Sequence, residues 1–183
     1  MPKLEHSKVF ITGIILTIFL SCGGIISAQT DPLGFSLSGT SVTEKDTFVV
    51  ALKADSVLTG SSVYAYRFYL SYSPSYFEFI GTEGTGPVLS TWGMPVLNDS
   101  NQGTVVMAGA GTSPLSGNGN MLYLKFVSLR SGYSTISFNT PESYLNEGNP
   151  ASVYSNVTIY SAALSYPDIY PDYRDMYVGD EVK

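Results

Sequence analysis

The chain has 183 residues, of which 44% are hydrophobic and 13% are charged, and its formal net charge is -6. This balance excludes a disordered polyelectrolyte and a coiled coil. The only histidine and the only cysteine are His6 and Cys22. Beyond residue 22, the sequence therefore offers no His-based triad, Cys nucleophile, His/Cys zinc site or intramolecular disulfide.

Residues 1–28 have the pattern of an export signal. Two lysines give a basic start, residues 9–20 are an apolar run, and 26–28 offer a cleavage site of small residues. Two alternatives stay open, namely lipidation of Cys22 and retention of the stretch as an anchor helix. Each places the chain from residue 29 onward outside the cytoplasm. Removal of 1–28 leaves seven basic and fourteen acidic residues, a net charge of -7, which argues against nucleic-acid binding.

From Gly34 to about Ser161, apolar residues recur with a period of two, which is typical of half-buried β-strands. Turn signals rich in Gly, Ser, Asn and Pro separate the runs, and no segment has convincing helical periodicity. Eight or nine short strands in about 130 residues predict one antiparallel β-sandwich. The strands are expected at 48–53, 63–72, 76–80, 92–97 (weak), 104–108, 121–129, 135–138 and 157–160, with a loop at 81–87.

The alternation also predicts which side chains face the core, because successive strand residues point to opposite faces. In 63–72, the expected inward side chains are Tyr66, Phe68, Leu70 and Tyr72. The outward ones include Arg67, whose charge marks that face as solvated. In 121–129, the side chains of Leu122, Leu124 and Phe126 are expected inward, and those of Tyr123 and Lys125 outward.

Four segments, in order, resemble the pattern of cohesin domains. Residues 70–79 (LSYSPSYFEF) are similar to the family's strand, Tyr-Asp-Pro turn and following strand, with Ser73 in place of the usual Asp. A serine can also cap that turn. Residues 101–108 (NQGTVVMA) resemble the strand before the family's variable loop, and 119–126 (GNMLYLKF) resemble its Gly-x-Leu-x-x-Ile-x-Phe strand. Residues 143–148, with Asn146-Glu147-Gly148, and then 157–159 (VTI) resemble its closing segment.

The resemblance implies a nine-stranded jelly-roll sandwich over 29–162 and a binding module without catalysis or cofactor. It also implies a dockerin-bearing protein partner that carries its own calcium, in polysaccharide-degrading or cell-surface assemblies. Dockerins are expected on a flat sheet face that combines the strand at 63–72 with the one at 121–129. Mapped by the alternation, the partner-binding residues are expected to be Ala65, Arg67, Tyr69, Ser71, Thr104, Val106, Tyr123 and Lys125.

Other functions have weaker signals. The acid–base groups available to a glycosidase are carboxylates without a paired signature: Asp55, Glu78, Glu83, Asp99, Glu142 and Glu147. No Asp-x-Asp-x-Asp-Gly calcium loop occurs, so no metal site is expected. Direct glycan binding by Trp92, Tyr64, Tyr69 and Tyr123 is one alternative, and a structural or adhesive surface domain is another. A lone Trp92 beside Gly93 favours burial of its ring over sugar stacking.

Residues 163–183 differ in composition from the rest of the chain. Tyr-Pro-Asp occurs at 166–168 and again at 170–172, and Pro after Tyr favours an extended linker. The last residues, 177–183, are similar to the segment that opens the strand at 48–53. We therefore expect a linker or the start of a further β-module here.

Overall fold

The structure is a computed structural model that describes residues 31–165. The predicted export signal with Cys22, and the predicted tail from residue 166, lie outside the described residues. In the described part, no helix is long and apolar enough to cross a bilayer. Three short 3-10 helices span Pro87–Leu89, Thr140–Glu142 and Asn146–Gly148. The strands are β1 (Leu33–Gly39), β2 (Val42–Thr43), β3 (Thr47–Ala54), β4 (Ala65–Ser71), β5 (Phe77–Thr85), β6 (Val96–Asn98), β7 (Thr104–Ala110), β8 (Gly119–Ser128), β9 (Gly132–Phe138), β10 (Tyr144–Leu145), β11 (Ser152–Ser155) and β12 (Val157–Ala162).

The strands form two sheets, which confirms the predicted all-β sandwich. The five-stranded sheet has the order β11-β1-β3-β8-β5, and the second sheet has the order β2-β12-β9-β4-β7-β6, with β10 beside β4. The described residues contain twelve strand segments rather than nine, and two pairs, β1–β11 and β2–β12, are parallel rather than antiparallel. Each parallel pair joins strands far apart in sequence, because a hairpin can only make an antiparallel pair.

Aromatic side chains from both sheets meet in the core. The ring centres of Phe35 and Phe68 lie 5.0 Å apart, and those of Tyr72 and Phe126 lie 5.4 Å apart. In β4, the side chains at every second position from Tyr66 to Leu70 are buried, as the alternation predicts. Interdigitated aromatic rings give the described residues a close-packed core.

The prediction of a loop at 81–87 is wrong, because β5 continues to Thr85 along β8. The pairing register shifts next to Gly81 and Gly84, which have φ values of 128° and 146°. Glycine adopts this backbone region without steric cost, so it lets a strand bulge and resume its ladder. The glycines at these positions mark irregularities within a strand rather than its end.

The weak strand predicted at 92–97 is reduced to β6, and Trp92 lies in the turn before it. The sequence favoured burial of the Trp92 ring, and the structure places it half-buried. The ring stacks on Tyr66 with ring centres 6.0 Å apart. Its Nε1 donates a hydrogen bond to the carbonyl of Ser113 over 3.0 Å. Gly111 allows this approach, since a Cβ there would lie 2.4 Å from the indole ring. Trp92 therefore anchors the segment between β5 and β6.

Candidate functional site

Six of the eight residues predicted for partner binding come together on one outer surface of the second sheet. β4 and β7 pair in antiparallel fashion, so their outward side chains stand opposite each other. We refer to the outward side chains of β4, β7, β6 and β10 as the β4 face. The opposed residues of β4 and β7 are Ala65 and Ala110, Arg67 and Ala108, Tyr69 and Val106, and Ser71 and Thr104.

The placement of Tyr123 and Lys125 with these six residues is wrong. Both side chains point outward from β8 as predicted, but β8 lies in the five-stranded sheet between β3 and β5. Its outer face is on the opposite side of the sandwich. Tyr123 Oη accepts a hydrogen bond from Asn120 Nδ2 over 2.8 Å, and Lys125 Nζ lies 3.3 Å from Glu83 Oε1. One flat sheet face therefore cannot combine the strand at 63–72 with the strand at 121–129.

Arg67 is the cationic centre of the β4 face. Its guanidinium carbon lies 5.9 Å from the ring centre of Tyr144 on β10, within the range of a cation–π contact. Arg67 Nη2 also lies 3.6 Å from Glu142 Oε2. Interaction with the Tyr144 side chain, and to a smaller extent with Glu142, raises the pKa of Arg67. The guanidinium is therefore held between the Tyr144 ring and the Glu142 carboxylate.

A shallow depression of about 430 Å³ opens beside Arg67. Short side chains contribute much of its lining, because Ala65, Ala108 and Ala110 project only a methyl group. Val96 of β6 stands opposite Ala108 and is 76% exposed. The β4 face thus combines an apolar depression with one guanidinium and the Tyr144 ring at its side.

The segment after the second 3-10 helix is attached to β4 by side chains. Asn146 Oδ1 accepts hydrogen bonds from the backbone N–H groups of Tyr64 and Ala65 over 2.8 and 2.9 Å, and Asn146 Nδ2 donates to the carbonyl of Ser62 over 2.7 Å. Ser143 Oγ accepts a hydrogen bond from the backbone N–H of Tyr69 over 2.9 Å. These bonds satisfy backbone donors of β4, and of Tyr64 just before it, that β9 does not reach. They also fix Tyr144 next to Arg67.

Sequence reasoning missed Glu142, Tyr144 and Asn146 as parts of this surface. It assigned 143–148 only to a closing segment, and a two-residue strand such as β10 is too short to show a period. The Asn146-Glu147-Gly148 sequence was the available signal. Asn146 and Glu147 both have positive φ, at 36° and 61°, which marks a tight irregular turn.

The carboxylates considered for glycosidase chemistry are spread over both sides of the sandwich. Glu83 pairs with Lys125 on the five-stranded sheet, whereas Glu142 pairs with Arg67 on the other side of the sandwich. Asp55 Oδ1 accepts a hydrogen bond from Ser36 Oγ over 2.7 Å. Over residues 31–165, no three His, Cys, Asp or Glu side chains cluster in a way that could hold a metal ion.

Solved structures that resemble this chain are cohesin modules. A type I cohesin–dockerin complex from Clostridium thermocellum matches with a TM-score of 0.62 and 16% identity, over 73% of this chain and 95% of that one. The third ScaC cohesin of Acetivibrio cellulolyticus, in complex with the ScaB dockerin, matches with a TM-score of 0.61 and 16% identity, over 72% and 99%. The chain has the cohesin fold.

The likeness extends to a cohesin module from a family 33 glycoside hydrolase of Clostridium perfringens. That module matches with a TM-score of 0.60 and 11% identity, over 74% of this chain and 100% of its own. No family model and no curated protein matches the sequence. At such identities the likeness establishes the cohesin fold, while function depends on the surfaces that this chain places on the fold.

Proposed function

We propose that residues 31–165 form a non-catalytic cohesin module that binds a dockerin-bearing protein through the β4 face. The observation that carries this proposal is the likeness to cohesin modules along nearly their whole length, including two that were solved with dockerins bound. The motifs at 70–79, 101–108 and 119–126 support the same assignment from the sequence.

The chemistry of the β4 face suits a protein partner. Protein interfaces are enriched in Tyr and Arg at their centres, because these side chains combine a large contact area with directional hydrogen bonds. Arg67 and Tyr69 lie next to each other on the outward side of β4, and Tyr144 lies beside Arg67. The exposed Val96 adds apolar area at the edge of the depression. An acidic or carbonyl group of the partner would meet the guanidinium, and an apolar side chain would enter the depression.

The proposed setting is outside the cell, in an assembly that degrades polysaccharides or decorates the cell surface. The export-signal pattern of residues 1–28 supports the compartment. The similarity to the C. perfringens module supports a link to glycoside hydrolases, since that module belongs to one.

Capture from the culture supernatant of the source organism tests the proposal. The full chain is immobilised in the presence of Ca²⁺, and bound proteins are identified by mass spectrometry. We expect a captured protein that carries a dockerin repeat, and we expect a chelator to release it, because a dockerin needs its own calcium. Arg67→Glu should strongly reduce this capture.

Lys125→Glu is the matched control, because it reverses the same charge on the opposite face. It should leave the capture unchanged. Failure to capture any dockerin-bearing protein would refute the proposed function. Capture that Arg67→Glu leaves undiminished would refute the proposed face.

A further inference from the structure

A second outer surface lies on β9 and β12, away from the depression of the β4 face. β9 pairs with β4 only through Ser137 and Phe138, so the first residues of β9 extend past the end of β4. There Tyr133 stands opposite Tyr160 of β12. Their ring centres are 4.8 Å apart, and the ring planes are inclined by 37°. We refer to these two side chains as the tyrosine pair.

The tyrosine pair keeps much of its aromatic area accessible. Tyr133 is 73% exposed and Tyr160 is 42% exposed. Cross-strand aromatic pairs stabilise sheets, but that role does not require rings that stay so open to solvent. An exposed aromatic ring with a polar end is a surface on which an apolar, planar face can stack. The carbon-bound hydrogens of a pyranose ring form such a face.

Polar groups surround the ring of Tyr160. A shallow, open depression of about 470 Å³ adjoins it. β2 forms one side, because it runs parallel to β12 with Val42 opposite Ser161. The turn that follows brings Asp46 near, with its backbone N–H bonded to the carbonyl of Thr43 over 3.1 Å. The lining residues are Ser41, Val42, Thr43, Asp46, Thr47, Tyr160 and Ala162.

The polar groups that line the depression can form hydrogen bonds with the hydroxyl groups of a sugar. The hydroxyl groups of Ser41, Thr43 and Thr47 can each donate and accept a hydrogen bond, and the Asp46 carboxylate accepts strongly from hydroxyl donors. A pyranose presents hydroxyl groups around its rim and carbon-bound hydrogens on its faces. Stacking on the tyrosine ring and hydrogen bonding to the rim can therefore occur together.

Charge restricts the class of sugar. The chain has a net charge of -6, and Asp46 lies in the depression itself. Uronic-acid polymers and nucleic acids, which could also stack on tyrosine rings, would be repelled by these charges. The charge balance favours a neutral polymer.

We propose that the tyrosine pair and the adjoining depression bind a neutral polysaccharide built of pyranose units. This site differs in strand, residues and ligand from the β4 face, and its existence does not depend on dockerin binding. The four aromatic residues considered for sugar stacking from the sequence do not include either tyrosine. Those residues lie apart, with Trp92 half-buried on Tyr66 and Tyr123 on the opposite sheet.

Affinity electrophoresis of the full chain tests the site. The probes are soluble xylan, mixed-linkage β-glucan and glucomannan as neutral polymers, and polygalacturonate as the acidic one. We expect at least one neutral polymer to retard the protein, and polygalacturonate not to. Tyr160→Ala and Tyr133→Ala should each weaken that retardation by roughly tenfold, because each removes one stacking ring.

Three controls separate binding from folding. Tyr64→Ala removes a tyrosine of similar exposure, 45%, at the other end of the sheet, and should leave the retardation unchanged. Tyr133→Phe should also keep it, since the ring rather than the hydroxyl does the stacking. Circular dichroism melts should show that the alanine variants remain folded. Absence of retardation by every neutral polymer, stronger retardation by polygalacturonate, or retardation that folded Tyr133→Ala and Tyr160→Ala variants retain would each overturn the proposal.

Discussion

The two outer faces of the sandwich carry nearly the same residue types in different surroundings. On the β4 face, Arg67 pairs with Glu142 over 3.6 Å, and on the five-stranded sheet, Lys125 pairs with Glu83 over 3.3 Å. Both cationic side chains are 36% exposed. Each is on a strand that also presents an outward tyrosine, Tyr69 in one case and Tyr123 in the other. Composition therefore does not separate the two faces.

What separates them is the shape around the cation and the way it is held. Arg67 lies beside an alanine-lined depression, and its guanidinium contacts the Tyr144 ring. An apolar side chain of a partner would fit into this depression next to the guanidinium. Arginine also has a planar fork of donors that recognises carboxylates and carbonyls in a fixed geometry, which lysine lacks. The proposed binding surface thus differs from the other face in how its side chains are arranged and not in which residue types it carries. Paired variants on the two faces can test whether this difference in arrangement matters for binding.

The largest expected effect is on stability, at Asn146. Asn146→Ala removes three hydrogen bonds to the backbone around the start of β4 and leaves an alanine at positive φ. We expect the free energy of unfolding in urea to fall by about 2 kcal/mol. Asn120→Ala, which removes the single bond to Tyr123 on the other face, should cost at most about 1 kcal/mol. Equal losses would contradict the special role of Asn146. Asn146→Gly, which avoids the strain, separates the two contributions.

The next effect concerns the charge on the β4 face. Arg67→Glu should weaken binding of the captured dockerin by roughly thirtyfold in calorimetry, because central arginines at interfaces often dominate affinity. Lys125→Glu should change it by less than about twofold. The opposite ranking of the two variants would move the docking surface to the five-stranded sheet.

A smaller effect is expected from filling the depression. Ala108 and Ala51 both face outward, the first opposite Arg67 and the second opposite Tyr123. Ala108→Phe should lower dockerin affinity about tenfold by occupying the space for an apolar side chain. Ala51→Phe should leave the affinity unchanged. A normal affinity for folded Ala108→Phe would show that the depression is not used.

The smallest effect is on stability at alkaline pH. Burial raises the pKa of Tyr66 beneath the β4 face and, to a smaller extent, that of Tyr154 on β11. Above the usual value of 10.0, a tyrosine in the unfolded chain loses its proton while Tyr66 in the folded chain keeps it. The folded state is therefore fully favoured below pH 10 and loses up to about 1.4 kcal/mol for each pH unit above it.

Urea denaturation between pH 8 and 11 measures this loss. Tyr66→Phe should flatten the alkaline decline more than Tyr154→Phe does, since Ser152 bonds to the Tyr154 hydroxyl and opposes the effect of burial there. A steeper decline for Tyr66→Phe than for the parent chain would contradict the proposed cause.

The sequence predicted the direction in which strand side chains point better than it predicted which strands lie side by side. Alternation correctly placed Arg67, Tyr69, Tyr123 and Lys125 on outward faces, because the period of a strand is a local property. It could not assign β4 and β8 to different sheets, since pairing depends on partners distant in sequence. The jelly-roll expectation gave a fold class consistent with the observed sandwich, but no residue-level pairing.

The missed parts of the candidate site have a common physical origin. Asn146 holds β10 to β4 with side-chain hydrogen bonds, and a two-residue strand has too few residues to reveal a period. The tyrosine pair was missed because Tyr133 falls just before the strand predicted at 135–138. The bulges led to a different error. Because Gly81 and Gly84 are typical of a loop, the sequence pattern did not indicate that β5 continues to Thr85. Short elements and glycines are thus where local patterns lose their information.

The bulges of β5 also bear on how copies of the module behave when crowded together. β5 is one edge of the five-stranded sheet, and a regular edge would offer unpaired backbone groups to another strand. The shifts at Gly81 and Gly84 interrupt that regularity. The other edge strands that the structure describes, β2, β6, β10 and β11, span only two, three, two and four residues. The described residues therefore offer little template for edge-to-edge aggregation. The proposed binding faces would stay accessible when copies are concentrated on a surface.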